Sequence, residues 1–191
     1  MKNYRGSKVQ QQAYKRAFAR AKLGDNIANH MGYIYINILY DKFDFTFKQV
    51  TNFYSKVIEK RKLWQSDSDE LTSKDLMGYC LKRNIDVCGW VKSIPMSQKL
   101  FLADLKRNKA VLGADYNIES ALASTLYLVI PVLRDNYRFS YDKINKFMRW
   151  SKEFVDSYAK GYLNDRIIKE IFIEDEHWDI DKGVAVQCKE M

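Results

Sequence analysis

Cations interleaved with aromatic rings open the chain. Lys8, Lys15, Arg16, Arg20 and Lys22 run alongside Tyr4, Tyr14 and Phe18, with no acidic residue in the first 22 positions. Ammonium and guanidinium groups neutralise backbone phosphates and aromatic faces stack bases, so these are residue types that hold a nucleic acid strand. Two later segments carry similar chemistry at helical spacing: Lys48, Gln49, Thr51, Asn52 and Lys56, then Lys143, Asn145, Lys146 and Arg149. Each follows an apolar segment and a short turn, the order of a helix–turn–helix whose second helix reads base edges and phosphates. Lys8, Lys15, Arg16, Arg20, Lys22, Lys48, Lys143 and Lys146 are therefore the candidate nucleic-acid-binding residues. The plain alternative is a set of solvated helix faces, which carry charges in most proteins.

Catalytic chemistry is poorly supplied. The chain has two histidines, His30 and His177. His177 stands beside Glu176 and Asp179, which read first as an acidic surface loop and only second as a metal-ligand set. His30 falls in an apolar segment, where a hydrogen-bonded core imidazole is the default. There is no glycine-rich phosphate loop, no Ser/His/Asp or Cys/His arrangement and no dinucleotide fingerprint. Cys80, Cys88 and Cys188 lack metal-ligand spacing, and their odd number fits reduced cytosolic thiols. Cys80 and Cys88 read as small core residues. Asp41 and Asp135 recur at helix ends, where a carboxylate caps or pairs. The expectation is a chain that is not an enzyme, with no cofactor and no metal site.

The elements that must position these residues come from a repeat. Ile38–Val50 returns 94 residues later as Val132–Ile144. Leu39, Asp41, Phe45 and Phe53 meet Leu133, Asp135, Phe139 and Phe147 identically, and several intervening pairs agree by type, which predicts a duplicated unit. The 191 residues are 47% hydrophobic and 14% aromatic, enough to build a core and too apolar for disorder. Basic residues crowd the first 22 positions, Glu170, Glu174, Asp175, Glu176, Asp179 and Asp181 form an acidic stretch, and the chain beyond the basic start is nearly balanced. Separated charge of this kind faces a partner or pairs with itself.

Val9, Ala13, Ala17, Phe18 and Ala21 give a basic amphipathic helix with Gly24 as its stop. Thr46 with Gln49 forms a capping box, and Ser140 is the matching N-cap. Phe47, Val50, Phe53, Tyr54, Val57 and Trp64 trace one core face, and Tyr141, Ile144, Phe147, Met148, Phe154, Val155 and Tyr158 its counterpart. Thr72 and Asn164 cap a shorter third helix in each unit, Pro131 kinks the second copy of the first helix, and Pro95 opens a linker helix reaching Lys109. The predicted fold class is all-α: two tandem related three-helix units about a pseudo-two-fold axis, plus a basic N-terminal helix. The segments are 1–25 (basic arm), 26–88 (first repeat), 89–118 (linker with helix), 119–182 (second repeat) and 183–191 (a mobile tail).

The run Tyr40-Asp41-Lys42-Phe43-Asp44-Phe45-Thr46-Phe47-Lys48-Gln49-Val50, with Gln10-Gln11-Gln12-Ala13-Tyr14-Lys15 before it and Ser157-Tyr158-Ala159-Lys160-Gly161-Tyr162 after it, resembles small helical proteins encoded by phages of Gram-positive bacteria. Here the unit is duplicated, and the second copy departs at Asn136 and Arg138. The resemblance implies a phage or prophage context and carries no activity or site residue with it.

Together these features point to a phage accessory protein in the bacterial cytoplasm that acts by binding. Nucleic acid, or a host nucleoprotein, is the first candidate partner. The alternatives are a stoichiometric inhibitor of a host defence protein and a structural or assembly factor. No apolar run is long enough to span a bilayer, so no membrane partner is expected. The repeat suits either a pseudo-dimeric monomer or a homodimer.

Overall fold

The computed structural model describes residues 8–66, 71–103, 118–176, 178–179 and 184–185, the side chains at 8–20 and from 171 onward excepted. Within them the chain is all-helical apart from one two-residue ladder, in which Trp178 pairs with Ala185 and Asp179 with Val184. That ladder ties residues 184–185 of the predicted tail to the segment before it. The helices are α1 (Lys8–Phe43), α2 (Phe47–Gln65), α3 (Ser73–Leu81), α4 (Val87–Ser93), α5 (Met96–Leu102), α6 (Ile118–Tyr137), α7 (Tyr141–Ala159) and α8 (Asp165–Glu176). None of them is long and apolar enough to cross a membrane.

Two helices form the centre. Residues 34–39 of α1 are buried on every side, and so are residues 128–133 of α6, the same positions displaced by 94. A helix that is apolar all round must be covered all round. α1 and α6 pack on each other; α2 also packs on α6, and α7 on α1. The covering helices are amphipathic instead. α7 buries Ile144, Phe147, Met148, Ser151, Val155 and Tyr158, mostly at intervals of three and four, and leaves its lysines outside.

The two turns that join core helix to covering helix share their geometry. Asp44 and Arg138 both take φ of 54°, a left-handed conformation that non-glycine residues rarely adopt. The Phe45 amide donates to the Leu39 carbonyl at 3.0 Å, and the Phe139 amide to the Leu133 carbonyl at 3.1 Å. Thr46 then accepts from the Gln49 amide while the Gln49 side chain accepts from the Thr46 amide at 2.8 Å, completing the predicted capping box. Ser140 accepts from the Lys143 amide at 3.2 Å. Thr46→Ala removes one reciprocal cap from an exposed helix start, and should lower unfolding free energy by about 1 kcal/mol in urea titration.

Ring contacts between the turns are reciprocal. Phe43 meets Phe139 and Phe45 meets Tyr137, each pair with centroids 5.0 Å apart. Phe43 meets Phe147 at 6.3 Å and Phe53 meets Tyr137 at 6.2 Å. Phe45 and Phe139 cross edge to face between them at 5.9 Å. Adding or subtracting 94 turns each member of a pair into its partner's counterpart.

Several local expectations are corrected. Gly24 does not stop the first helix; α1 runs through it without a break. Leu23, Ile27 and Met31 are buried on one continuous stripe. Burying them outweighs the roughly 1 kcal/mol that glycine costs a helix interior. Pro131, expected to kink its helix, is buried inside α6, which does not end there. α4 was not expected from the sequence, and its short span straddles the predicted boundary at 88/89. Asp86 caps α4 by accepting from the Gly89 amide at 2.7 Å, and the Trp90 indole donates to the Met148 carbonyl at 2.6 Å. Residues of both predicted repeats and of the segment between them share one core cluster. Leu105 and Lys109, expected in the linker helix, lie outside the described residues, as do His177 and Cys188.

Candidate nucleic-acid interface

The outer face of α7 gathers cations around an indole. Lys143, Lys146 and Trp150 are spaced three and four apart and so occupy one flank of the helix, with Arg149 beside them. Lys143 and Lys146 are exposed, and neither has a carboxylate partner among the described residues. The end of α1 adds Lys42, whose Nζ lies 4.9 Å from the centre of the Trp150 ring, while the Arg149 guanidinium lies 5.7 Å from it. The half-buried indole packs against the hydrophobic core. Carboxylates temper the patch: Asp41 sits 2.8 Å from Lys42, and Glu153 4.0 Å from Arg149. Such exposed pairs hold little energy and exchange readily for a phosphate.

Of the residues predicted from sequence, Lys143 and Lys146 come together here. Lys22 is exposed on α1 and Lys48 on the first turn of α2, both on helices other than α7. Lys8, Lys15, Arg16 and Arg20 belong to α1, continuous with the core, and their side chains lie outside the described residues. Lys42 and Trp150 were not anticipated as members of the site. The repeat itself held a signal for the indole. The covering helices match in their apolar faces, yet Trp150 stands 94 positions after Lys56, so one copy carries an aromatic ring where the other carries a cation.

A second polar cluster ties three helices together. His30 of α1 has Nδ1 2.7 Å from the Tyr158 hydroxyl of α7 and 3.1 Å from Asp165 at the start of α8. The Tyr158 hydroxyl donates to the Asp165 carboxylate. Burial pushes the Asp165 carboxyl up, but hydrogen bonds from His30 and Tyr158 outweigh it and hold the group below its ordinary 3.8. A carboxylate depressed in the folded state stabilises the fold above its unfolded value, and that contribution is lost as pH falls through the folded value. Asp165→Asn should therefore destabilise the protein most at about pH 6 and progressively less below about pH 4, read by denaturant titration across pH. The cluster gives His30 the hydrogen-bonded setting expected of it, on a part-buried side chain rather than one in the core.

Other candidates sort similarly. Asp135 accepts from the Tyr79 hydroxyl, and burial together with that carboxylate raises the phenol to about 12. Cys80 is buried as expected, but Cys88 is exposed, its Sγ 3.6 Å from the Tyr127 hydroxyl. Cys88 sits on α4, a helix the sequence did not announce, where it faces an open cleft beside α6 rather than the packed core. No cluster of three metal-ligating side chains occurs among the described residues. Comparison with protein-family models, curated proteins and solved structures gives no match to this chain.

Proposed function

We propose that this chain is a non-enzymatic binding protein that engages nucleic acid, a phage accessory factor acting in the host cytoplasm, built as a tandem duplication. The observation that carries the reading is Trp150, flanked by Lys42 and Arg149 and adjoining the exposed Lys143 and Lys146. Cations to meet phosphates beside an aromatic face to meet a base are the recurring parts of single-strand sites. Duplex bases are stacked on each other and offer no face to an indole, so the aromatic component favours a single strand. The basic start of α1 adds long-range attraction on a helix continuous with the core.

Fluorescence anisotropy with labelled single- and double-stranded DNA and RNA, over a salt series, tests the reading. Lys146→Glu with Arg149→Glu should abolish most of the binding while leaving far-UV circular dichroism unchanged. Failure of the unaltered protein to bind any of the four ligands at low salt would overturn the reading and turn attention to a host protein partner.

A further inference from the structure

An open cavity of about 480 Å³ lies on the other side of α6, bounded by the end of α2 and by α3 and α4. That volume is within the range of small-molecule sites. Its walls are mainly apolar: Trp64, Leu76, Met77, Val91, Ala123 and Tyr127. No residue of α7 lines it, so it is separate from the Trp150 patch. The Trp64 indole spends its N–H on the Ser73 hydroxyl at 2.9 Å, leaving the ring as apolar wall.

The charges around the cavity do not cancel. Lys74 and Lys92 line it, both exposed and both without a carboxylate partner among the described residues. The carboxylate in the lining, Glu119, is already held by the buried Lys99, whose Nζ lies 2.5 Å away. A neutralised acid and two available ammonium groups leave the cavity cationic over an apolar floor. The Tyr127 hydroxyl at the cavity wall already contacts Cys88 Sγ at 3.6 Å.

We propose that this cavity binds an amphipathic organic anion, its apolar body against Trp64, Leu76 and Ala123 and its carboxylate or phosphate head toward Lys74 and Lys92. The body comes from aliphatic or aromatic compounds, which share this chemistry and are separated by the choice of probe. Binding here is independent of nucleic acid.

Isothermal titration calorimetry with decanoate, 2-naphthoate, uncharged decanol and cationic decyltrimethylammonium tests it on the full chain, below the micelle-forming concentration of each. Saturable binding of at least one anion, with decanol weaker, is expected; the stronger anion identifies the body. Lys74→Glu with Lys92→Glu, both on exposed positions, should weaken the anion about tenfold or more and favour the cation instead. Ala123→Trp should fill the cavity and remove binding of all four probes, and circular dichroism checks that it is folded. Equal binding of decanoate and decanol, or a charge-reversed variant that binds the anion unchanged, would overturn the proposal. So would the absence of saturable binding by any anion.

Discussion

Phe147→Ala is expected to cost about 3–5 kcal/mol of unfolding free energy. The side chain is fully buried. Its ring meets Tyr35 at 5.3 Å and Phe43 at 6.3 Å, so its removal empties the junction between α1 and α7. Alanine cannot recruit a replacement, because the neighbouring rings are pinned from behind: Phe43 by Phe139, and Tyr35 by a 2.8 Å hydrogen bond to Thr125. The void therefore persists, and its cost adds to the lost transfer energy. Phe53, the counterpart 94 positions earlier, meets Tyr137 in the same way, but the repeat puts Val129 where Phe147 has Tyr35. Phe53→Ala should consequently lose somewhat less. Urea titration followed by circular dichroism and by tryptophan fluorescence measures both. A loss below about 1.5 kcal/mol for Phe147→Ala would mean that the ring cluster collapses around the gap rather than holding its geometry.

Trp150→Ala should weaken single-strand binding by about 1–3 kcal/mol, the amount a stacked aromatic side chain contributes per base. The dependence on salt is the sharper readout. Stacking releases no counterions, so the slope of log affinity against log salt should stay as in the unaltered protein. Lys143→Ala with Lys146→Ala should do the reverse, flattening the slope by about 0.7 for each phosphate contact removed from a single strand. The indole also packs on the core, so thermal melts must accompany the titrations. If Trp150→Ala reduced binding only in proportion to lost stability, the ring would be a structural element and the patch a simple cationic surface.

What was legible in the sequence was what depends on neighbours along the chain. Thr46, Thr72, Ser140 and Asn164 could be named as caps because a cap is completed within about one helical turn of itself, and each accepts from an amide three residues on. The apolar face of α7 was legible for the same reason: helical periodicity places Ile144, Phe147, Val155 and Tyr158 together whatever they pack against. Gly24 misled because its helix-ending tendency is also local, and burial against distant elements outweighed it.

The sequence by itself determined the all-helical class, the two capped turns and the recurrence at 94 residues, since propensity, capping and period are properties of short stretches. Tertiary structure alone decided which groups meet. His30 reaches Asp165 across 135 positions, Trp90 reaches the Met148 carbonyl across 58, and Lys42 comes over Trp150 because α1 lies on α7. The cavity beside α6 likewise has walls drawn from four separate helices. Contacts of this kind follow from how the helices pack, and no local pattern encodes the partner a side chain will find.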